Sequence, residues 1–302
     1  MAYRLEMSES SQQGLARIVA EQIDRARRDP GRHETVEGIH KLRQRCKRIR
    51  AILRLARPAL GSLYARENRR FRDIARAVAG PRDEQILIDT FDVLLATQKG
   101  RLDRRQFTPM RQQLIRRHRQ ALQATALPDM DRLDVELVSA REAIRDWTPD
   151  ISRFQPLCEG LTRTYGQGRK AMKAAEKSRD EASFHAWRKE VKYHRHHCEL
   201  LSDVWRVLME ARAREAHRLA DLLGEEHDLA MLVKALNEPD VAVQDQERTW
   251  LVLDMIDARR STLQHEALLL GKRLFAEKPE VLAHRIRRYR AVARQEIRKP
   301  SA

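Results

Sequence analysis

VEGIHKLRQRCKRIRAILRL, residues 36–55, reads as a helix with two faces of different kind. At roughly 100° per residue, His40, Arg43, Lys47, Arg50 and Arg54 fall on one line, at steps of three, four, three and four. Ile39, Leu42, Cys46, Ile49 and Leu53 form an apolar seam beside that line. The row of potential cations therefore borders a core and does not stand on the far, solvent side of the helix.

The same device returns 145 residues later. In FHAWRKEVKYHRHHCELL, from Phe184, the residues His185, Arg188, Lys192 and Arg195 repeat His40, Arg43, Lys47 and Arg50 without a gap. Trp187, Val191, His194 and Cys198 repeat the seam, and Glu199 stands where the first copy has Arg54. The offset holds onward through Leu63/Leu208, Arg69/Arg214, Ala75/Ala220, Asp83/Asp228 and Leu87/Leu232. Upstream, GLARI at Gly14 and GLTRT at Gly160 match with a shift of one more residue. The pattern is that of a tandem duplication of a helical unit. We expect one domain over 1–302, made of repeats 1–148 and 149–302.

The rest of the chain agrees with helices. Leu15, Ile18, Val19 and Ile23 keep helical periodicity until Asp29-Pro30-Gly31, and Leu63, Phe71, Ile74 and Val78 mark a helix stopped by Gly80-Pro81. Further helices are expected over 102–122 and 133–144, divided by Pro128 and closed near Pro149. The second repeat follows the same plan from Ser152, with a helix ending at Gly224, another over Asp228–Leu236, a long one to Leu274 and a last from Glu280. No stretch sustains strand alternation. The expected fold is all-α, two tandem four-helix-like bundles related by pseudo-two-fold symmetry.

Charge narrows the partners. Sixty Lys and Arg against 44 Asp and Glu give a net charge of +16, a surplus that favours polyanions: nucleic acid, polyphosphate or an anionic membrane. Cys46, Cys158 and Cys198 lack metal or redox spacing and suit a reducing compartment. No run approaches the ~18 apolar residues of a membrane span, and no signal-peptide core stands at the N-terminus. A soluble, cytoplasmic protein is expected.

Individual residues carry competing readings. Asp83 and Asp228 are read as structural, helix caps or Arg partners, since a carboxylate at a helix start accepts an early backbone N–H. His194, His196, His197 and Cys198 look like a metal cluster, yet only His194 and Cys198 share a helix face, and no second ligand pair accompanies them, so no metal or other cofactor is expected. The C-terminal HRIRRYRAVARQEIRK is read as a closing bundle helix with an arginine-rich outer face.

The paired motifs resemble the CHAD domain (conserved histidine α-helical domain). That family carries H-x-x-R-x-x-x-[KR]-x-x-R on a helix twice, each copy followed by a Gly and an [RH]-D pair. Here the first set is His40, Arg43, Lys47 and Arg50 with Gly80 and Arg82-Asp83, and the second is His185, Arg188, Lys192 and Arg195 with Gly224 and His227-Asp228. Tyr3-Arg-Leu is similar to the family's usual opening. The resemblance implies binding of inorganic polyphosphate on a basic surface or pore made by both rows, without catalysis, as a scaffold or a module targeted to polyphosphate granules. An E-x-E-x-K strand of the triphosphate-tunnel kind that accompanies some members is not found, so hydrolysis is not carried over.

The residue chemistry is compatible with that implication. Polyphosphate offers only oxygen acceptors, so its receptor needs dense cationic donors and nothing that reads a base; Arg supplies a planar fork and Lys a compact charge. The candidate binding residues are His40, Arg43, Lys47, Arg50, Arg54, His185, Arg188, Lys192 and Arg195, with Arg69 and Arg214 as corresponding outer contributors. A nucleic-acid-binding helical protein is the alternative, on charge alone. Aromatic residues make up only 5% of the chain, and Phe184 and Trp187 fall toward the seam where stacking platforms would need them exposed. No P-loop, HExxH or paired-carboxylate motif points to an enzyme.

Overall fold

The computed structural model describes residues 3–28, 36–78, 82–97, 102–124, 129–146, 153–238 and 246–298. The expected breaks at Asp29-Pro30-Gly31, Gly80-Pro81, Pro128 and Pro149, and the helix start at Ser152, lie outside these residues. The described residues are helical apart from turns and short connections. The first half holds α1 (Ser11–Arg28), α2 (Val36–Leu55), α3 (Arg57–Leu60), α4 (Ser62–Ala77), α5 (Arg82–Thr97), α6 (Thr108–Ala124) and α7 (Met130–Ala143). The second holds α8 (Gln155–Ser178), α9 (Glu181–Leu200), α10 (Arg206–Leu236), α11 (Gln246–Leu274) and α12 (Pro279–Arg298).

Local chemistry sets several boundaries. Arg179 closes α8 in a left-handed conformation at φ 55°, and Asp180 then caps α9 by accepting the Ser183 amide at 2.7 Å. Asp129 caps α7 in the same way, through the Arg132 amide at 3.0 Å. Both follow the preference for a short carboxylate before a first helical turn.

Two hydrophobic cores result. The larger takes the buried faces of α1, α2, α4 and α7 together with α8, α9, the N-terminal part of α10, the C-terminal part of α11, and α12. The smaller joins α5 and α6 to the C-terminal part of α10 and the N-terminal part of α11. The boundary between cores therefore does not follow the boundary between repeats, because each core takes helices from both halves. One bundle per repeat was the expectation. The helices α10 and α11 are long enough to run through both cores, which explains the difference.

The seams pack inward as expected: Leu42, Cys46, Ile49 and Leu53 on α2, and Trp187, Val191, His194 and Cys198 on α9, are buried, and Ile39 is half-buried. The halves meet along α2, which packs on both α8 and α9. Gly160 of α8 lies against the end of α2, where a Cβ would sit 1.8 Å from the Leu55 carbonyl oxygen, so only glycine permits this approach. The opening segment spans the same seam. Tyr3 donates from its hydroxyl to the Arg48 carbonyl at 2.8 Å, and the Leu5 amide donates to the Leu200 carbonyl at 2.9 Å.

One helix boundary needs correction. Gly224 was expected to end a helix and Asp228 to begin the next, but α10 runs unbroken from Arg206 to Leu236. Asp228 is thus an interior helical residue and caps nothing. Gly224 serves packing: a Cβ there would lie 3.2 Å from Nη2 and 3.4 Å from Nε of Arg188, so the bare backbone gives the guanidinium room to lie against α10. In the first repeat, α5 begins at Arg82, which puts Asp83 inside its first turn; the side chain of Asp83 lies outside what the structure describes.

Candidate anion-binding cleft

The two rows begin on helices that touch. On α9, the seam residues anchor one face in the larger core, which leaves Arg188 and Lys192 half-buried at its edge. On α2, the same arrangement leaves Arg43 half-buried and Lys47 exposed. The contact of α2 with α9 brings Lys47 close enough for its charge to act on Lys192.

Arg188 and Lys192 open into a cleft of about 380 Å³ between α5, α9, α10 and α11. Its opposite wall carries Asp89, Thr90 and Thr97 of α5, while α10 supplies Asp221, Gly224, Glu225 and Asp228, and α11 supplies Arg259. Arg259 is held by Glu225 through two hydrogen bonds, at 2.7 and 3.0 Å. Arg188 differs: its buried Nε has no hydrogen-bond partner among the described residues. Burial pushes Arg188 below its ordinary value, against the opposing pull of Asp228 and Asp221. Partial burial, then the charges of Arg188 and Lys47, lowers Lys192 to about 7, although Asp228 and Asp221 act in the other direction. Both carboxylates belong to the cleft, a placement that reading Asp228 as structural could not anticipate and that no sequence expectation covered for Asp221. The signal that would have found Asp221 is its spacing, one helical turn before Gly224 and two before Asp228.

A pair of histidines flanks the cleft. The His185 ring lies against that of His227 on α10, with centroids 4.4 Å apart. Burial and the neighbouring Arg188 charge lower His185, while burial, His185 and Arg188 lower His227 to about 4. Glu181 stands behind them, 3.6 Å from His227 Nδ1 and paired with Lys234.

The remaining row residues are placed differently. Arg50 donates from Nε to Asn68 at 3.0 Å, and Arg195 to Glu199 at 2.7 Å. Arg54 joins the halves: it pairs with Glu190 of α9, bonds Gln167 of α8 and stacks 4.3 Å over the Tyr193 ring. It therefore acts as a strut between repeats and is spent before any ligand arrives. His40 bonds Gln44 at 2.6 Å. Arg69 and Arg214 are exposed on α4 and α10 and do not line the cleft. The histidines of the apparent metal cluster have separate duties, and the buried Cys198 Sγ lies 3.6 Å from His194 Nε2. His194 accepts from Arg212 Nε at 3.1 Å, His196 contacts Glu199, and His197 meets the Ala51 carbonyl at 2.9 Å. Among the described residues no group of three or more His, Cys, Asp or Glu is placed to hold a metal ion.

The geometry is that of two basic helices in contact, one with an orphan guanidinium donor on a helix-packing glycine. A family model described as the CHAD domain matches residues 17–237. The chain belongs to the CHAD-domain family. The matched region contains both rows and the cleft's α5, α9 and α10 walls; the cleft's Arg259, on α11, lies beyond it. No curated protein and no solved structure matches the chain. Although α11 and α12 follow the matched CHAD region, their buried faces complete both cores. Among the described residues no helix is long and apolar enough to cross a membrane.

Proposed function

We propose that this protein binds inorganic polyphosphate along the basic edges of α2 and α9, and that it acts by binding, without chemistry, as a scaffold or granule-targeting module. The observation that carries this reading is the placement of Lys192, a half-buried amine one turn from Arg188 in a partly closed cleft and within reach of the Lys47 charge; burial and those like charges lower it. A protein gains no stability from crowding cations in low dielectric, whereas an incoming polyanion turns the same repulsion into attraction. The orphan Nε of Arg188 supports the reading, since a buried donor without a partner is costly and a phosphate oxygen satisfies it. The association of the CHAD domain with polyphosphate points the same way.

On this reading the repeats 1–148 and 149–302 act as one domain with an approximate two-fold between α2 and α9. Such an axis requires equivalent residues to approach one another, and Lys47 and Lys192 are equivalent by the repeat. The cleft supplies no exposed aromatic to stack a base, so the proposed selectivity is for phosphate density. Competition of labelled long-chain polyphosphate against duplex DNA, single-stranded RNA and ATP at physiological salt is the test. Polyphosphate is expected to displace nucleic acid at matched phosphate concentration; equal competition by duplex DNA would transfer the site to nucleic acid.

A further inference from the structure

The cleft holds a half-buried amine among charged side chains. Lys192 stands on α9 one turn from Arg188, whose Nε is buried without a hydrogen-bond partner. From α2 it meets the charge of Lys47, and from α10 those of Asp221 and Asp228. The facing α5 wall carries Asp89, and α11 carries Arg259, already held by Glu225. From α8 no residue lines the cleft among the described residues. His185 and His227, with Glu181 and Lys234, lie beside the cleft on α9 and α10. The charges of Arg188 and Lys47 thus act on Lys192, and four carboxylates, Asp89, Asp221, Glu225 and Asp228, line its cleft, with Glu225 engaged by Arg259. A phosphate entering beside the orphan Arg188 donor changes that balance at the amine.

We infer that anion and proton are taken up together at this cleft. A phosphate chain sets its oxygens against Arg188 and Lys192, and Lys192 passes from –NH₂ to –NH₃⁺ by taking one proton from the buffer acid. No other bond forms or breaks. The inference rests on the polyanion reading of the site and adds a pH term to it. The sign follows from the free state: Lys192 lies near 7 when unliganded, and a bound anion raises it by favouring the charged form. Below that value the amine is already charged and binding takes up no proton there. Above it, uptake rises toward one proton per occupied cleft, and affinity falls as pH rises, by at most about tenfold per pH unit. The histidines are lowered and titrate on the acid side of Lys192, so at about pH 8 they are neutral in the unliganded cleft.

Titration calorimetry of the full chain with long-chain polyphosphate at about pH 8, in Tris and in HEPES, measures the uptake from the dependence of heat on buffer ionisation enthalpy. Wild type is expected to take up roughly half to one proton per cleft at that pH, whereas at about pH 6 Lys192 is already charged and contributes none. Lys192→Arg, which is charged at both pH values, is expected to keep binding and lose the buffer dependence. Wild-type binding whose heat is the same in both buffers overturns proton coupling and leaves the polyphosphate reading standing. Absence of wild-type binding overturns both. Buffer dependence that persists unchanged in Lys192→Arg places the proton elsewhere and overturns the role of Lys192. The wild-type buffer comparison decides the coupling even if the variant is unstable.

Discussion

Gly224 separates what the site needs from what the helix prefers. In a helix interior, glycine costs about 0.5–1 kcal/mol relative to alanine. That cost is borne where Arg188 lies against the α10 backbone, with room for no ordinary Cβ contact. The atoms that a new methyl would meet are the far end of a flexible side chain, so the guanidinium shifts by a few tenths of an ångström and the fold survives. Gly224→Ala is therefore expected to melt at the same temperature or a few degrees higher, since about 1 kcal/mol moves a domain of this size by roughly 2–4 °C. The same variant should bind polyphosphate about threefold more weakly, because a charge-assisted contact depends on donor placement. Thermal melts paired with binding titrations check both halves of the expectation. Unchanged affinity would mean that the Arg188 placement is irrelevant to the ligand.

At the scale of elements, the seams and the positions of most helices were legible because 3.6-residue periodicity is local. The course of α10 was not. A glycine followed by an aspartate has the composition of a stop and a cap, and the reason for continuity, Arg188, comes from a helix that is distant in sequence. Arg54 was misplaced for a related reason: its spacing puts it on the row, but Glu190, Gln167 and Tyr193 engage it from the other repeat. The departure of Glu199 from the repeat was the one hint available, since a binding row has no use for a carboxylate there. Reassigning Asp228 from cap to cleft wall sets what its replacement should do. Asp228→Asn removes a negative charge that favours the charged forms of Arg188 and Lys192 and also repels a phosphate. We expect affinity for polyphosphate to rise about two- to fivefold at low salt and the gain to shrink as salt rises, as screening dictates. A loss of affinity, read by the same titration at two salt concentrations, would make the carboxylate a contributor to binding.

Across the whole molecule, the duplication announced two equivalent rows, but not that their helices cross where the halves join. That contact arises from tertiary features without a sequence period: the close approach at Gly160, the Arg54 strut and the bond from His197 to Ala51. Lys47, whose charge acts on Lys192, and Lys192 each head a stretch of row that runs toward the N-terminus of its own helix. From Lys47 to His40, and likewise from Lys192 to His185, the distance is roughly 10 Å at 1.5 Å per residue. A short chain can occupy one arm, and the α9 arm is the better one, because Arg188 there offers a buried donor without a partner. A long chain can lie along both arms, the second engaged at high effective concentration once the first is bound. Removing a charge from the α2 arm should therefore discriminate between ligands by length. Arg43→Ala leaves the cleft lining untouched, as Arg43 is not part of it. Long-chain polyphosphate is expected to lose about tenfold in affinity, or ~1.4 kcal/mol, while tripolyphosphate changes less than about twofold. Arg188→Ala should weaken both ligands. Titrations with chains of defined length give the answer directly: equal losses for short and long chains in Arg43→Ala would mean that no chain spans the two arms, and each row would then have to be treated as a site of its own.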